Sequence, residues 1–210
     1  MKMYDVTGAI FEGMTVYKNK PKKQPSFKTV TTGYVTESRI ELDVHTGTHV
    51  DAPLHMVANG ETMESIPLDK LVGMCKVLDL THLEDRITRA DLEQLELQKN
   101  DFVLFKTRNS FEEAFSFTFV YLAEDGADYL AQIGVRGIGT DALGIERSQE
   151  GHPTHKKLFA GNVIVMEGLR LQEVPQGKYF MVAAPLKLIG TDAAPARVLL
   201  FEGITVSSIQ

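Results

Sequence analysis

Tryptophan is absent from this 210-residue chain and cysteine occurs once, so no indole can line a binding site and no intrachain disulfide can form. The single thiol, Cys75, lies in the apolar run "MCKVLDL". A nucleophilic cysteine needs an electropositive, partly open setting, so Cys75 reads as structural. Positive charge is also short: 22 Lys and Arg face 28 Asp and Glu, for a net charge of −6. With a pI near 5.5, that balance argues against a nucleic-acid or anionic-membrane partner. The one basic cluster, Lys18 to Lys23 in "KNKPKKQP", is interrupted by Pro21 and reads as a solvated loop. No apolar run approaches the ~18 residues of a membrane span, and the opening "MKMYDVTGAIFEGM" holds no signal-peptide core. A cytoplasmic protein is expected. No Walker A sequence occurs, and no G-x-G-x-x-G opens a helix after a strand, which speaks against nucleotide binding. Repeats and low-complexity linkers are missing too, and 43% hydrophobic residues suffice for a sizeable core.

What is present reads as alternating strands and helices. Ile40, Leu42 and Val44 alternate with charged residues over 38–44, the period of a half-buried strand that would end at His45. "CKVLDL", "DFVLFKT", "VRGIGT", "NVIVME", "KYFMVAA" and "ARVLLFEGI" read as further strands. "TRADLEQLEL" reads as a helix with Thr88 as N-cap and Asp91 in its first turn, and "LAEDGADYLAQIG" as a helix ending at Gly134. These elements predict one α/β domain over 1–210 with a mixed sheet, strand-rich at both ends.

The chemistry concentrates in "HTGTHVDAPLH", residues 45–55, which holds three of the six histidines and one aspartate. Imidazole and carboxylate are the usual protein ligands of Zn²⁺ and related divalent ions. Gly47 lies between His45 and His49, which disfavours a helix and favours a tight turn on which both imidazoles converge. Asp51 brings two oxygens able to bridge two ions, and Pro53 stiffens the loop ahead of His55. A lone histidine would carry no such reading, but three with an aspartate on a Gly/Pro turn point to a metal or catalytic site. Other ligands must come from distant segments, with His152 and His155 in "EGHPTHKKLF" and Glu167 closing "NVIVMEG" as candidates. His82 has no accompanying ligand pattern and reads as structural or exposed.

"HTGTHVDAPLH" resembles the H-x-G-T-H-x-D-x-P-x-H signature of the cyclase-like metal hydrolases, a family that includes bacterial kynurenine formamidases and isatin hydrolases. Similarity extends to "YDVTGAIFEGMTVY", "FVLFKTRNS", "GVRGIGTDALGIE" and "HKKLFAGNVIVMEGL", and so spans nearly the whole chain. The resemblance implies a swivelling β/β/α fold, usually as a homodimer, and two divalent metal ions, zinc first and manganese second. It implies that His45 and His49 bind one ion, His155 the other, and that Asp51 and Glu167 bridge them. His55 falls at the general acid/base position. Tyr17 stands where the formamidases carry a pocket tryptophan, with "KNKP" replacing their Pro-Gly turn, and Phe11 is a second candidate for an aromatic wall. The implied reaction is an arylformamidase hydrolysis of N-formyl-L-kynurenine to L-kynurenine and formate. Opening of a cyclic amide or lactone, or a cyclisation, would use the same metal set. A non-catalytic metal-binding protein is the reading of another class, and it leaves His55 without a role.

Overall fold

The computed structural model describes residues 1–204. In chain order the strands are β1 (Met3–Asp5), β2 (Ser26–Thr32), β3 (Val35–Glu41), β4 (His49–Asp51) and β5 (Val72–Asp79). The second part carries β6 (Arg86–Ile87), α1 (Arg89–Glu93), β7 (Phe102–Lys106), β8 (Tyr121–Leu122) and α2 (Glu124–Ile133). The last part carries β9 (Gly137–Thr140), α3 (Pro153–Ala160), β10 (Ile164–Glu167), β11 (Gly177–Pro185) and β12 (Ala193–Phe201).

An eight-stranded sheet runs in the order β1-β12-β11-β5-β7-β9-β10-β4, and β4 also pairs with β12. That last pairing closes seven strands into a barrel-like ring, with β1 alongside β12. The sheet is mixed: β5, β7, β9 and β10 are mutually parallel, whereas β11, β12 and β4 join antiparallel. The expected α/β class with a mixed sheet is what the chain adopts.

β7 explains why the middle of the ring reads as an unbroken apolar run. All of Phe102 to Lys106 is buried, as in parallel strands covered on both faces. Phe102 and Leu104 turn into one core with Val50, Met166, Met181 and Leu200. Val103 and Phe105 turn into the other, against Leu92, Ala127, Leu130 and Leu158 of the three helices. At roughly 1.5–3 kcal/mol per fully buried large side chain, this strand alone anchors both layers. Cys75 belongs to the first core, where burial pushes its thiol up to about 12.

Two sequence expectations change. The strand expected over 38–44 spans Val35–Glu41, pairs only with β2, and is exposed along its whole length. Alternation records that two faces differ, not that one is buried, and this hairpin stands off the ring. The chain then turns before His45, and the strand carrying site residues is β4. The helix expected from Thr88 is also shorter, with five residues, although Thr88 and Asp91 form the reciprocal capping box. The helix ending at Gly134 is as expected, with Gly134 left-handed. The Lys18–Lys23 segment forms two short 3-10 turns, within which Lys23 pairs with Asp43 at 2.9 Å.

Candidate functional site

β4 is the seam of the ring, and the site is built along it. On one side it pairs with β10, setting His49 opposite Glu167 and Asp51 opposite Val165. On the other it pairs with β12, setting Asp51 opposite Ala193, next to Asp192. Residues more than a hundred positions apart therefore become lateral neighbours through backbone pairing. α3 delivers His155 from above the sheet, and a 3-10 turn over Pro53–His55 delivers His55.

The turn before β4 needs its glycines. Gly47 has φ +65°, and Gly168, just after Glu167, has φ +73°. A Cβ on Gly168 would lie 2.4 Å from the Gly47 carbonyl oxygen, so only glycine admits this approach. The Thr48 hydroxyl locks it by donating to the Gly168 carbonyl at 2.6 Å while accepting the Gly8 amide at 2.8 Å.

Each histidine of the cluster turns one nitrogen to an acceptor at its back. His49 Nδ1 is 2.9 Å from the Gly47 carbonyl oxygen, to which it donates, and this turns Nε2 inward. That Nε2 faces Asp51 Oδ1 and Glu167 Oε2, both at 3.4 Å. His155 Nδ1 meets Glu146 Oε1 at 2.6 Å, and its Nε2 faces Asp51 Oδ2 and Glu167 Oε1 at 3.5 Å. His45 Nε2 meets Asp192 Oδ2 at 2.9 Å, and its Nδ1 faces Asp51 Oδ1 at 3.0 Å. His55 Nδ1 lies 3.3 Å from the same Asp192 oxygen.

The inward contacts of 3.4–3.5 Å are longer than good hydrogen bonds. Four buried atoms at the centre have no hydrogen-bond partner: His49 Nε2, both carboxylate oxygens of Asp51, and His155 Nε2. They make up four of the seven such atoms among the described residues. Buried polar groups are almost always satisfied, so a cluster of orphans needs an explanation. His49, Asp51 and Glu167 bring imidazole and carboxylate atoms close enough together to hold a divalent cation, as do His45, Asp51 and His55 beside them, and His155 turns its Nε2 toward the same two carboxylates. The histidines backed by Glu146 and Asp192 repeat the arrangement in which a carboxylate orients a metal-ligating imidazole.

Electrostatics agree with a site that favours positive charge. Burial opposes a charge on His49, yet Asp51 and Glu167 raise it to about 10. Burial likewise opposes a charge on His155, and Asp51, Glu146 and Glu167 together raise it well above the usual range. Burial and the Asp51 charge push Glu167 up, but His155 and His49 bring it down to about 2. Protons thus balance the carboxylates where a cation would. His55 differs, since burial lowers it below the ordinary imidazole range.

The sequence-selected residues His45, His49, Asp51, His55, His155 and Glu167 are all brought together. His152 stands behind His155, its Nδ1 2.9 Å from Glu146. His82 is exposed and so is Phe11. Tyr17 shares with His45, Thr46, Lys23, Asp43 and Leu143 the lining of a small, narrow cleft. Its ring meets Phe115 edge-on at 5.3 Å, and its hydroxyl is 2.9 Å from Ser148 Oγ. Sequence reading missed Glu146 and Asp192. The signal for Asp192 was a carboxylate on a Gly-Thr turn immediately before the buried strand "AAPARVLLF".

A family profile described as "Putative cyclase" matches residues 4–147. The kynurenine formamidase of Salinibacter ruber is 37% identical over 164 residues, 77% of this chain and 77% of that protein. The structure of a predicted metal-dependent hydrolase from Bacillus stearothermophilus is 69% identical with a TM-score of 0.89, over 95% of this chain and 97% of that one. Isatin hydrolase A from Labrenzia aggregata shares the fold at 22% identity and TM-score 0.82, over 95% of this chain and 93% of that one.

Proposed function

The chain belongs to the cyclase family, and from that premise we propose that it is a metal-dependent hydrolase of a non-peptide C–N bond, an arylformamidase converting N-formyl-L-kynurenine to L-kynurenine and formate. The observation that carries the reading is the set of orphaned inward atoms on His49, Asp51 and His155 beside Glu167. The formamide substrate is supported by the 37% identity to a kynurenine formamidase. In this reading His45, His49 and His155, together with Asp51 and Glu167, would hold the two ions. Zinc is the expected ion at both positions and manganese the second to test. Divalent ions held there supply Lewis acidity to a carbonyl oxygen and make water nucleophilic near neutral pH.

The chain's own groups do the rest. Tyr17, backed by Phe115, offers the aryl ring a wall beside His45. Asp51 and Glu167 place two negative charges in the site, offsetting part of the charge brought by the ions. His55, its side chain one quarter exposed, takes a proton from water and returns one to the aniline nitrogen as the C–N bond breaks. The water oxygen leaves on formate and the amine departs neutral. Such a group contributes about 10²–10⁴-fold.

We place the enzyme in the cytoplasm with a small-molecule substrate and no nucleic-acid or membrane partner, as a homodimer. No helix among the described residues is long and apolar enough to cross a membrane. The β2–β3 hairpin supports the dimer: Phe27, Val30, Tyr34, Val35 and Ile40 are all exposed on it. An isolated two-stranded hairpin is marginally stable in water, and a second copy would cover it.

The test is turnover of N-formyl-L-kynurenine by chelator-stripped protein reloaded with each metal in turn. Saturable hydrolysis restored by zinc or manganese is expected. Hydrolysis of isatin or a lactone instead would move the substrate assignment, and metal binding without hydrolysis of any of them would sink the enzyme reading.

A further inference from the structure

Asp192 appears in no part of the ligand set above, yet one of its histidines, His45, and the proposed acid/base His55 both converge on it. Its Oδ2 lies 2.9 Å from His45 Nε2 and 3.3 Å from His55 Nδ1. The two rings stand beside each other at 4.1 Å between centroids. Asp192 contacts the nitrogen of His45 that is turned away from Asp51, so the carboxylate sits behind the cluster rather than at its centre. Its backbone is fixed by the seam: the Ala52 amide donates to the Asp192 carbonyl at 2.9 Å, and Ala193 is registered against Asp51. The Met63 amide holds the preceding residue by donating to the Thr191 carbonyl at 2.9 Å. A carboxylate on so constrained a backbone defines a direction for any imidazole bonded to it.

We infer that Asp192 is a positioning residue that sets the tautomer and orientation of His55, holding Nδ1–H outward so that Nε2 presents its lone pair to the substrate. This rests on the reading of His55 as the group that moves a proton. The physical logic is that a neutral imidazole carries one proton on one of two nitrogens, and a carboxylate accepts only from the protonated one. Without Asp192 both tautomers and several ring orientations become available to His55, because its side chain is one quarter exposed and water can reach it. The same oxygen accepts from His45 Nε2–H and leaves His45 Nδ1 facing Asp51. One carboxylate thereby aligns a proposed ligand and the proposed acid/base, from a strand edge that neither histidine belongs to.

The experiment has two readouts. The first needs no substrate: long-range ¹H–¹⁵N spectra of the imidazoles in zinc-loaded protein at pH 8. His55 is expected as the Nδ1–H tautomer, and Asp192→Asn is expected to lose that preference. A wild-type His55 protonated on Nε2 would overturn the inference. The second is a double-mutant cycle with metal in excess, using N-formyl-L-kynurenine. With both proteins saturated with metal, Asp192→Asn should lower kcat about 10- to 100-fold and change KM less than about threefold. In a His55→Ala background the same change should cost at least about tenfold less. An equal penalty in both backgrounds would show that Asp192 acts without His55. If wild-type protein fails to hydrolyse the formamide while His55 still shows the Nδ1–H tautomer, the functional reading falls and the positioning role stands.

Discussion

Glu146 gives the sharpest test of the metal reading, because it touches the proposed centre only through His155. Its Oε1 accepts from His155 Nδ1 at 2.6 Å, with the side chains 4% and 1% exposed, so no water replaces a lost partner. Glu146→Gln keeps shape and one acceptor but removes the charge. A hydrogen bond to a charged group contributes about 1.5–3 kcal/mol and a neutral one about 0.5–1.5, a difference of roughly 1 kcal/mol. The other oxygen, Oε2, accepts the Thr154 amide at 3.2 Å. A glutamine that keeps its oxygen on His155 must turn an NH₂ toward that amide, which adds about 1 kcal/mol for the facing donors. Together these weaken the presentation of His155 Nε2 by about 2 kcal/mol, or roughly 30-fold in metal dissociation constant. That lies within the range of about 10–100-fold for groups that orient a ligating histidine.

Competition for zinc against a chromophoric chelator reads the constant directly. At fixed free zinc the same loss lowers the melting temperature by about 4–8 °C for a chain of this size. A dissociation constant within threefold of wild type would refute the reasoning, since His155 would then owe its position to packing alone.

Asp51→Asn should lower metal content per chain as well as activity, and unchanged content by elemental analysis would remove Asp51 from the ligands. Gly168→Ala should destabilise the fold by about 3 kcal/mol or more in urea unfolding, because it combines a left-handed backbone with a Cβ 2.4 Å from the Gly47 oxygen; a loss under about 1 kcal/mol would mean the turn moves freely. The metal-stripped protein should be stabilised by its buried charge cluster most strongly between about pH 4.5 and 6.5. His49, raised from 6.5 to about 10, gives stability present below 6.5 and lost as pH rises toward 10; Glu167, lowered from 4.5 to about 2, gives stability present above 4.5 and lost as pH falls toward 2. Melting temperatures of stripped protein across that range that show no decline on either side would contradict the ion-pair network.

The strands of the ring were legible because a strand buried on both faces must be apolar throughout, and "DFVLFKT" and "NVIVME" satisfy that condition in any arrangement. The 45–55 half of the site was legible for a different reason: its residues lie close in sequence, so their spacing carries their convergence, whereas His155 and Glu167 were indicated as ligands by the family resemblance. β4 itself was not legible. Three residues, His49, Val50 and Asp51, are too few to show a period, and two of them are polar yet at most 2% exposed. The hairpin β2–β3 shows a clear period without a buried face, since Ile40, registered opposite Phe27 on β2, stands 57% exposed.

Glu146 and Asp192 show where sequence reading stops. A ligating histidine advertises itself through residue type and spacing, whereas the carboxylate behind it needs only to be an acid at the right end of some strand or loop. Asp192 reaches His45 across 147 positions because β12 pairs with β4, and Glu146 reaches His155 across nine because Pro153 starts a helix at that point. Neither distance follows from a motif; both follow from topology. The orienting carboxylates are therefore set by how the ring closes at β4, and a change that shifts the β4–β12 register by one residue would place Ala193 or Thr191 where Asp192 now stands. The ligands would survive such a slip in sequence but not in geometry, which makes the seam, more than the "HTGTHVDAPLH" signature alone, the feature on which the proposed chemistry depends.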